Sequence, residues 1–168
     1  MGHIKQLTIL GLRKFEEIEI RFNDSMNIIV GENEAGKSTI LEAISIVLNQ
    51  QYKNVDKSIV KELLNKDNVE KFKKEKRVSA LPKIQIEVKF EMTGKERDAQ
   101  DFFGEESLSK KEPEYGILFE CKFDEECADR LAKEIGEGKI PYEYYVMSWM
   151  TFRGAPYKSI KKPFNSIF

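Results

Sequence analysis

The hydrophobic and polar positions change period several times along the chain, and each change marks an element. Apolar residues dominate IKQLTIL (residues 4–10) and alternate in EIEIRF (17–22), where Ile18, Ile20 and Phe22 share one face. With the connector GLRKFE between them, these runs predict a strand pair. MNIIV (26–30) has no polar alternation beyond Asn27, the pattern of a strand covered on both faces, and is expected at the centre of a mixed or parallel sheet. After a polar loop, Ile40, Leu41, Ile44, Val47 and Leu48 recur at helical spacing and predict a helix packed on that sheet along one apolar stripe. Ile59, Val60, Leu63 and Leu64 suggest a short second helix, after which KDNVEKFKKEKR (66–77) is nearly all polar. That run reads as a solvated loop, with a phosphate-contacting surface as the alternative.

The period then becomes two. Ile84, Ile86, Val88 and Phe90 alternate with polar residues, as do Ile117, Phe119, Cys121 and Phe123, predicting half-exposed antiparallel strands. DEECADRLAKEIGEG (124–138) opens with three acids and places Cys127, Ala128, Leu131 and Ile135 on one face before Gly136, which fits a helix with a favourable dipole and a glycine end. YEYYVMSWMTFRGAPY (142–157) reads as a strand, a turn around Gly154 and Pro156, and a returning strand. Its aromatic residues are more readily core than cofactor contacts.

Composition narrows the picture only a little. A length of 168 residues suits one domain, and 28 basic against 29 acidic side chains leave a formal charge of −1, so no global basic excess advertises nucleic acid. Cys121, Cys127 and His3 are too few for a zinc site and read as reduced thiols and a lone imidazole of a cytoplasmic protein. No apolar run approaches a membrane span and the N-terminus lacks a signal-peptide core.

The chemistry lies between the expected strand at 26–30 and the helix after it. Gly31, Gly36, Lys37 and Ser38 match the G-x-x-x-x-G-K-[ST] pattern of a phosphate-binding loop. Glycines allow successive N–H groups to converge on phosphate oxygens, and the helix N-terminus adds positive partial charge. Residues Gly31, Glu32, Asn33, Glu34, Ala35, Gly36, Lys37, Ser38 and Thr39 are therefore the candidate nucleotide cradle, with Lys37 on the β and γ phosphates and the Ser38 hydroxyl on Mg2+. ATP and Mg2+ are the cofactors this pattern implies.

GENEAGKSTILEAI resembles the Walker A segment of the ABC-type ATPase heads in RecF, SMC proteins and the OLD (overcoming lysogenization defect) nucleases, although Glu34 stands where their typical form has glycine. The opening strand and following turn are similar to theirs, and Arg13 falls at an arginine position that reaches nucleotide phosphate in such heads; Gly11 and Leu12 depart from their asparagine-phenylalanine. IPYEYYVMSWMTFRGAPY resembles an OLD-family segment and tips the resemblance towards that group of ATP-dependent endonucleases, a family tied to DNA repair and phage defence. The resemblance implies an α/β fold: a P-loop NTPase of the ABC-ATPase head type, with a mixed sheet and an antiparallel β lobe. Residues 1–50 would carry the strand pair and the Walker A strand, loop and helix, 51–82 the second helix and charged loop, and 83–168 a β-rich lobe with one helix.

What the family uses for hydrolysis is not recognisable here. KFDEE (122–126) offers only Phe123 before Asp124 where a Walker B strand needs an apolar run, and neither a signature segment nor a nuclease carboxylate cluster is evident. The catalytic residues stay unassigned, and Gln85, on an alternating strand, is a poor candidate for the glutamine near magnesium. The expectation is the incomplete N-terminal part of a longer protein, or a short relative. It would bind nucleotide better than it hydrolyses it, pair its heads as a homodimer, and meet DNA through the full-length protein with no membrane partner. Alternatives are a RecF- or SMC-like repair or chromosome-maintenance ATPase without a nuclease, and a stand-alone nucleotide-binding, regulatory or kinase-like domain.

Overall fold

The structure, a computed structural model, describes residues 2–34, 36–95 and 98–163. The predicted strand pair is present as β1 (His3–Leu12) and β2 (Phe15–Arg21), joined antiparallel with Ile9 opposite Ile18. Beyond them come α1 (Lys37–Asn49), α2 (Ile59–Leu63), α3 (Lys66–Glu75), β3 (Ile84–Glu91), β4 (Phe103–Gly104), β5 (Glu114–Phe123), α4 (Ala132–Gly136) and β6 (Tyr145–Thr151). The strands form one sheet in the order β2-β1-β3-β5-β4, with β6 also paired to β5. Every pairing is antiparallel.

One face of this sheet is apolar by strict alternation. Leu7 lies opposite Val88 and Ile9 opposite Ile86; Val88 then faces Ile117 and Ile86 faces Phe119, which in turn faces Trp149. All six aliphatic and aromatic partners on β1, β3 and β5 are at most 1% exposed. Helix α1 covers that face with Ile40, Ala43, Ile44, Val47 and Leu48. Fully burying aliphatic side chains of this kind contributes about 1.5–3 kcal/mol each relative to exposure, which is why an α1 without strong caps is held.

Several expectations are corrected. Residues 26–30 are not the central strand of a mixed sheet: no described strand runs beside them, and Met26, Ile28 and Val30 are 77%, 77% and 86% exposed. The pattern is that of a covered strand, but a strand exists only where a neighbour takes up its N–H and C=O groups. Leu41 is 56% exposed, because the buried face of α1 is taken by Ile40, Ala43, Ile44 and Val47 and leaves Leu41 on the outer side. Most of the run 66–77 is the helix α3 (Lys66–Glu75) rather than a loop. Asn65 caps it, its side chain accepting from the Asn68 N–H at 3.1 Å, Asp67 sits in the first turn and Lys73 and Lys74 in the last, and Phe72 anchors it fully buried. The single helix expected over 124–138 is broken: a 3-10 turn at Glu125–Cys127, capped by Asp124, precedes the short α4. Only Leu131 and Ile135 are buried there, with Cys127 and Ala128 half-buried, which is too short a stripe to hold a long helix. The returning strand after Gly154 is reduced to one bridge between Met150 and Pro156.

Strand β3 also differs from a half-exposed strand, because its polar face is covered. Glu87 is 2% exposed and accepts from the Leu108 N–H at 2.5 Å, while Lys89, 8% exposed, pairs with Glu114 and stands 3.8 Å from Glu87. Burial pushes the Glu87 carboxyl above its ordinary value, against the pull of the Leu108 N–H and Lys89, with Glu114 and Glu19 adding like-charge repulsion. The folded protein therefore holds this proton more tightly than the unfolded chain does. The contribution is present below the ordinary glutamate range and is lost as pH rises from there through the raised value of Glu87. Chemical denaturation across that window should show the decline in stability, and Glu87→Gln should flatten it. An unchanged slope in the variant would assign the decline to other groups.

Candidate functional site

The glycine-lysine-serine loop leads directly into α1. Gly36 adopts φ 92°, a left-handed backbone that suits glycine, and a Cβ added there would lie 2.4 Å from Phe15 Cζ. Phe15 thus closes one side of the loop with an aromatic ring where only a hydrogen fits. The Ile40 N–H bonds back to the Gly36 carbonyl at 3.0 Å, so α1 begins there, and no side chain caps its N-terminus. The first N–H groups of a helix have no partner within it, and a helix end of this kind suits an anion.

Lys37 turns back on its own loop, its Nζ donating to the Gly31 carbonyl, and Lys14 Nζ donates to the Glu34 carbonyl. Gly31, Glu32, Asn33 and Glu34 are exposed, Ser38 is exposed, Lys37 is half-buried and Thr39 is buried; Ala35 lies outside the described residues. The structure brings Arg13, Ser38 and Thr39 to one cavity of about 810 Å³ along the outer side of α1. The other described residues of the predicted cradle, Gly31, Glu32, Asn33, Glu34, Gly36 and Lys37, do not line it. A glycine kept free of Cβ, an uncapped helix end and a hydroxyl at a cavity are features that a Mg-nucleotide would fit.

Arg13 is held there in detail. Its backbone is left-handed, φ 49°, and is fixed on both sides: its N–H donates to the Leu63 carbonyl at 2.7 Å and its carbonyl accepts from Asn65 Nδ2 at 2.8 Å. Its Nε and Nη2 donate to the two carboxylate oxygens of Glu42, at 2.6 and 2.8 Å, and the Tyr52 hydroxyl donates to the same carboxylate at 2.6 Å. The bond to Glu42 holds the guanidinium well above its usual value. Burial would raise Glu42, but the hydrogen bonds from Arg13 and Tyr52 overcome it and leave the carboxyl below its usual value. Burial, then Glu42, pushes the Tyr52 phenol up.

Sequence reasoning had found Arg13 but not its partners. Glu42 stands four residues after Ser38, hence on the same helical face, and that spacing is the signal that was there to read. Nothing in the sequence marks Tyr52. The aromatic segment near the C-terminal end proves to be core that grips the far end of α1. Trp149 Nε1 donates to the Ile46 carbonyl at 2.7 Å, the Tyr157 hydroxyl donates to the Leu48 carbonyl at 2.8 Å, and Gln50 Nε2 donates to the Tyr157 carbonyl at 2.9 Å. Ile46 and Leu48 are among the last four residues of α1, whose carbonyls lack helical partners. The two thiols are free; Cys121 is buried, and burial pushes it up to about 12. Among the described residues no helix is long and apolar enough to cross a membrane.

An antiparallel sheet backing one long helix, with a glycine-lysine-serine loop at that helix's N-terminus, makes a mixed α/β fold consistent with an ATPase domain. A family model described as an AAA domain matches residues 6–148, and the chain belongs to that family. Its similar proteins include the DNA replication and repair protein RecF of Clostridium kluyveri, 34% identical over 93 residues, which cover 55% of this chain and 25% of that protein. RecF of Oceanobacillus iheyensis is 40% identical over 45 residues, 27% of this chain and 12% of that protein. The DNA double-strand break repair Rad50 ATPase of Methanopyrus kandleri is 44% identical over 45 residues, 27% of this chain and 5% of that protein. The chain thus spans a quarter or less of the length of these relatives. The protein is an AAA-type ATPase domain related to RecF and Rad50, and these relatives favour the repair-ATPase alternative over the OLD endonuclease reading.

Proposed function

We propose that this chain binds Mg-ATP through Gly31–Thr39 and forms the N-terminal part of a RecF- or Rad50-like DNA-repair ATPase head within a longer polypeptide. The observation that carries the proposal is the uncapped N-terminus of α1 behind Gly36, beside a cavity shared by Arg13 and Ser38. In this reading the N–H groups that begin α1 receive phosphate oxygens, Lys37 leaves the Gly31 carbonyl for phosphate, Ser38 holds the cation and Arg13 donates to phosphate. Bound Mg-ATP supplies a triphosphate whose binding and cleavage drive changes elsewhere in such a protein. The exposed apolar residues 26–30 support an incomplete head, since a segment patterned for burial stands uncovered beside the loop.

DNA binding and pairing of two heads belong to the same proposal and to the full-length protein. The lysine-rich helix α3 lends DNA little local support, because Lys71 pairs with Glu16 and Lys73 with Glu70. The OLD reading comes second: the segment that suggested it supplies Trp149 and Phe152 to the core, 7% and 0% exposed, a structural duty that implies no nuclease.

Calorimetry with Mg-ATP, paired with a phosphate-release assay, tests the proposal. Measurable binding with turnover near background is the expected result for a head without its hydrolytic half. Absence of binding would sink the reading, and rapid turnover would place the catalytic acid within these residues.

A further inference from the structure

The Arg13 side chain is committed to Glu42 in an arrangement that uses only part of what it offers. A guanidinium carries five N–H donors in a rigid fork. Glu42 takes one from Nε and one from Nη2, and the Tyr52 hydroxyl donates to Oε1, the carboxylate oxygen that also accepts from Nη2. Apart from an interaction of the guanidinium with the Tyr52 hydroxyl, its Nη1 hydrogens have no protein partner among the described residues, on a side chain that lines the same cavity as Ser38. Both ends of the arrangement are anchored. Arg13 sits on a turn pinned to Leu63 and to Asn65, itself 2% exposed, and Glu42 sits on α1 one turn beyond Ser38.

We propose that Glu42 and Tyr52 are positioning residues, which hold the Arg13 guanidinium ready at the loop so that its unengaged edge can donate to nucleotide phosphate. This rests on the reading of the loop as a Mg-ATP site. An arginine free to rotate gives up side-chain entropy when it is ordered by a ligand. One already clamped by a bidentate carboxylate loses little more, so its bonds to phosphate appear more fully in affinity. The opposite effect of the same carboxylate is to neutralise Arg13 and compete with phosphate for it. The geometry favours positioning because the carboxylate engages Nε and Nη2 and not Nη1, and because the Arg13 backbone is fixed independently of Glu42.

The test is a double-mutant cycle in Mg-ATP affinity, measured calorimetrically on the 168-residue chain. Arg13→Ala should weaken binding roughly 10-fold, as expected for charge-assisted hydrogen bonds to phosphate. Glu42→Gln should weaken it roughly 5-fold, and Tyr52→Phe roughly 2-fold, in an otherwise unchanged chain. Neither should matter once Arg13 is alanine, because a residue that acts through Arg13 has nothing left to position. A merely structural role would lower affinity equally in both backgrounds and would overturn the proposal. Equal or tighter binding by Glu42→Gln would also overturn it, showing competition in place of positioning. Should Glu42→Gln fail to fold, Tyr52→Phe keeps the carboxylate and carries the same cycle. If the parent chain binds no Mg-ATP, both this proposal and the nucleotide-site reading fall; a parent that binds while Glu42→Gln and Tyr52→Phe change nothing overturns positioning alone.

Discussion

Replacing Lys37 by alanine is expected to weaken Mg-ATP binding roughly 100-fold, equivalent to about 2.7 kcal/mol, while the unfolding midpoint stays where it was. The two halves of that expectation have separate causes. Lys37 is the first residue of α1 and belongs to no buried cluster, and among the described residues its ammonium bonds only to the carbonyl of Gly31. That contact is exposed, so its removal leaves no buried group unsatisfied. Alanine is also a good residue for a helix. The ammonium is a compact charge with three donors on a flexible stem, and two charge-assisted bonds to phosphate account for the loss of affinity. The neighbouring Lys14→Ala is the control: it removes a similar contact, to the Glu34 carbonyl, from a residue outside the glycine-lysine-serine pattern. Equal losses from both lysines would mean that affinity comes from general positive charge around the loop. A loss confined to Lys37 would place phosphate at the head of α1.

How far the sequence could reach is clearest around that helix. Its N-terminus was legible because a phosphate loop needs particular residues at fixed spacing, and its buried side was legible because Ile40, Ile44, Val47 and Leu48 recur at helical period. Arg13 was found through family resemblance, whereas Glu42 and Tyr52 were not: their role depends on a contact over 29 and 10 residues respectively, which no local pattern encodes. Residues 26–30 mark the opposite case. Their composition was read correctly as apolar, but strand formation depends on a hydrogen-bonded neighbour, and the only sheet among the described residues runs elsewhere. Helix α3 was missed because its apolar content is a half-buried Val69 and a buried Phe72, although the Asn65 cap three residues before Asn68 was a usable signal. The polar side of β3 misled for a tertiary reason, since nothing in alternation reveals that the loop carrying Ser107 and Leu108 folds over Glu87.

Trp149→Ala should destabilise the fold by about 3–5 kcal/mol, the range for removing a large buried aromatic residue. The indole is 7% exposed, lies against Phe119 with ring centroids 4.9 Å apart, and bonds the Ile46 carbonyl near the end of α1. Two contributions can be separated. Trp149→Phe keeps most of the ring but leaves that buried carbonyl without its donor, which costs about 1–3 kcal/mol. Tyr157→Phe removes only a hydroxyl, the partner of the Leu48 carbonyl, and should cost a similar amount for the same reason. Since Trp149 is the chain's single tryptophan, its fluorescence follows unfolding in the parent, and circular dichroism follows parent and variants alike. The decisive comparison is between stability and binding. These residues grip α1 at the end opposite the glycine-lysine-serine loop, so a folded Trp149→Phe chain should retain parental Mg-ATP affinity while unfolding at lower denaturant. A folded variant with weakened affinity would mean that the aromatic anchor sets the position of the phosphate cradle as well as the stability of the helix carrying it. A loss of stability below about 1 kcal/mol for Trp149→Ala would remove the indole from the account of what holds α1 to the sheet.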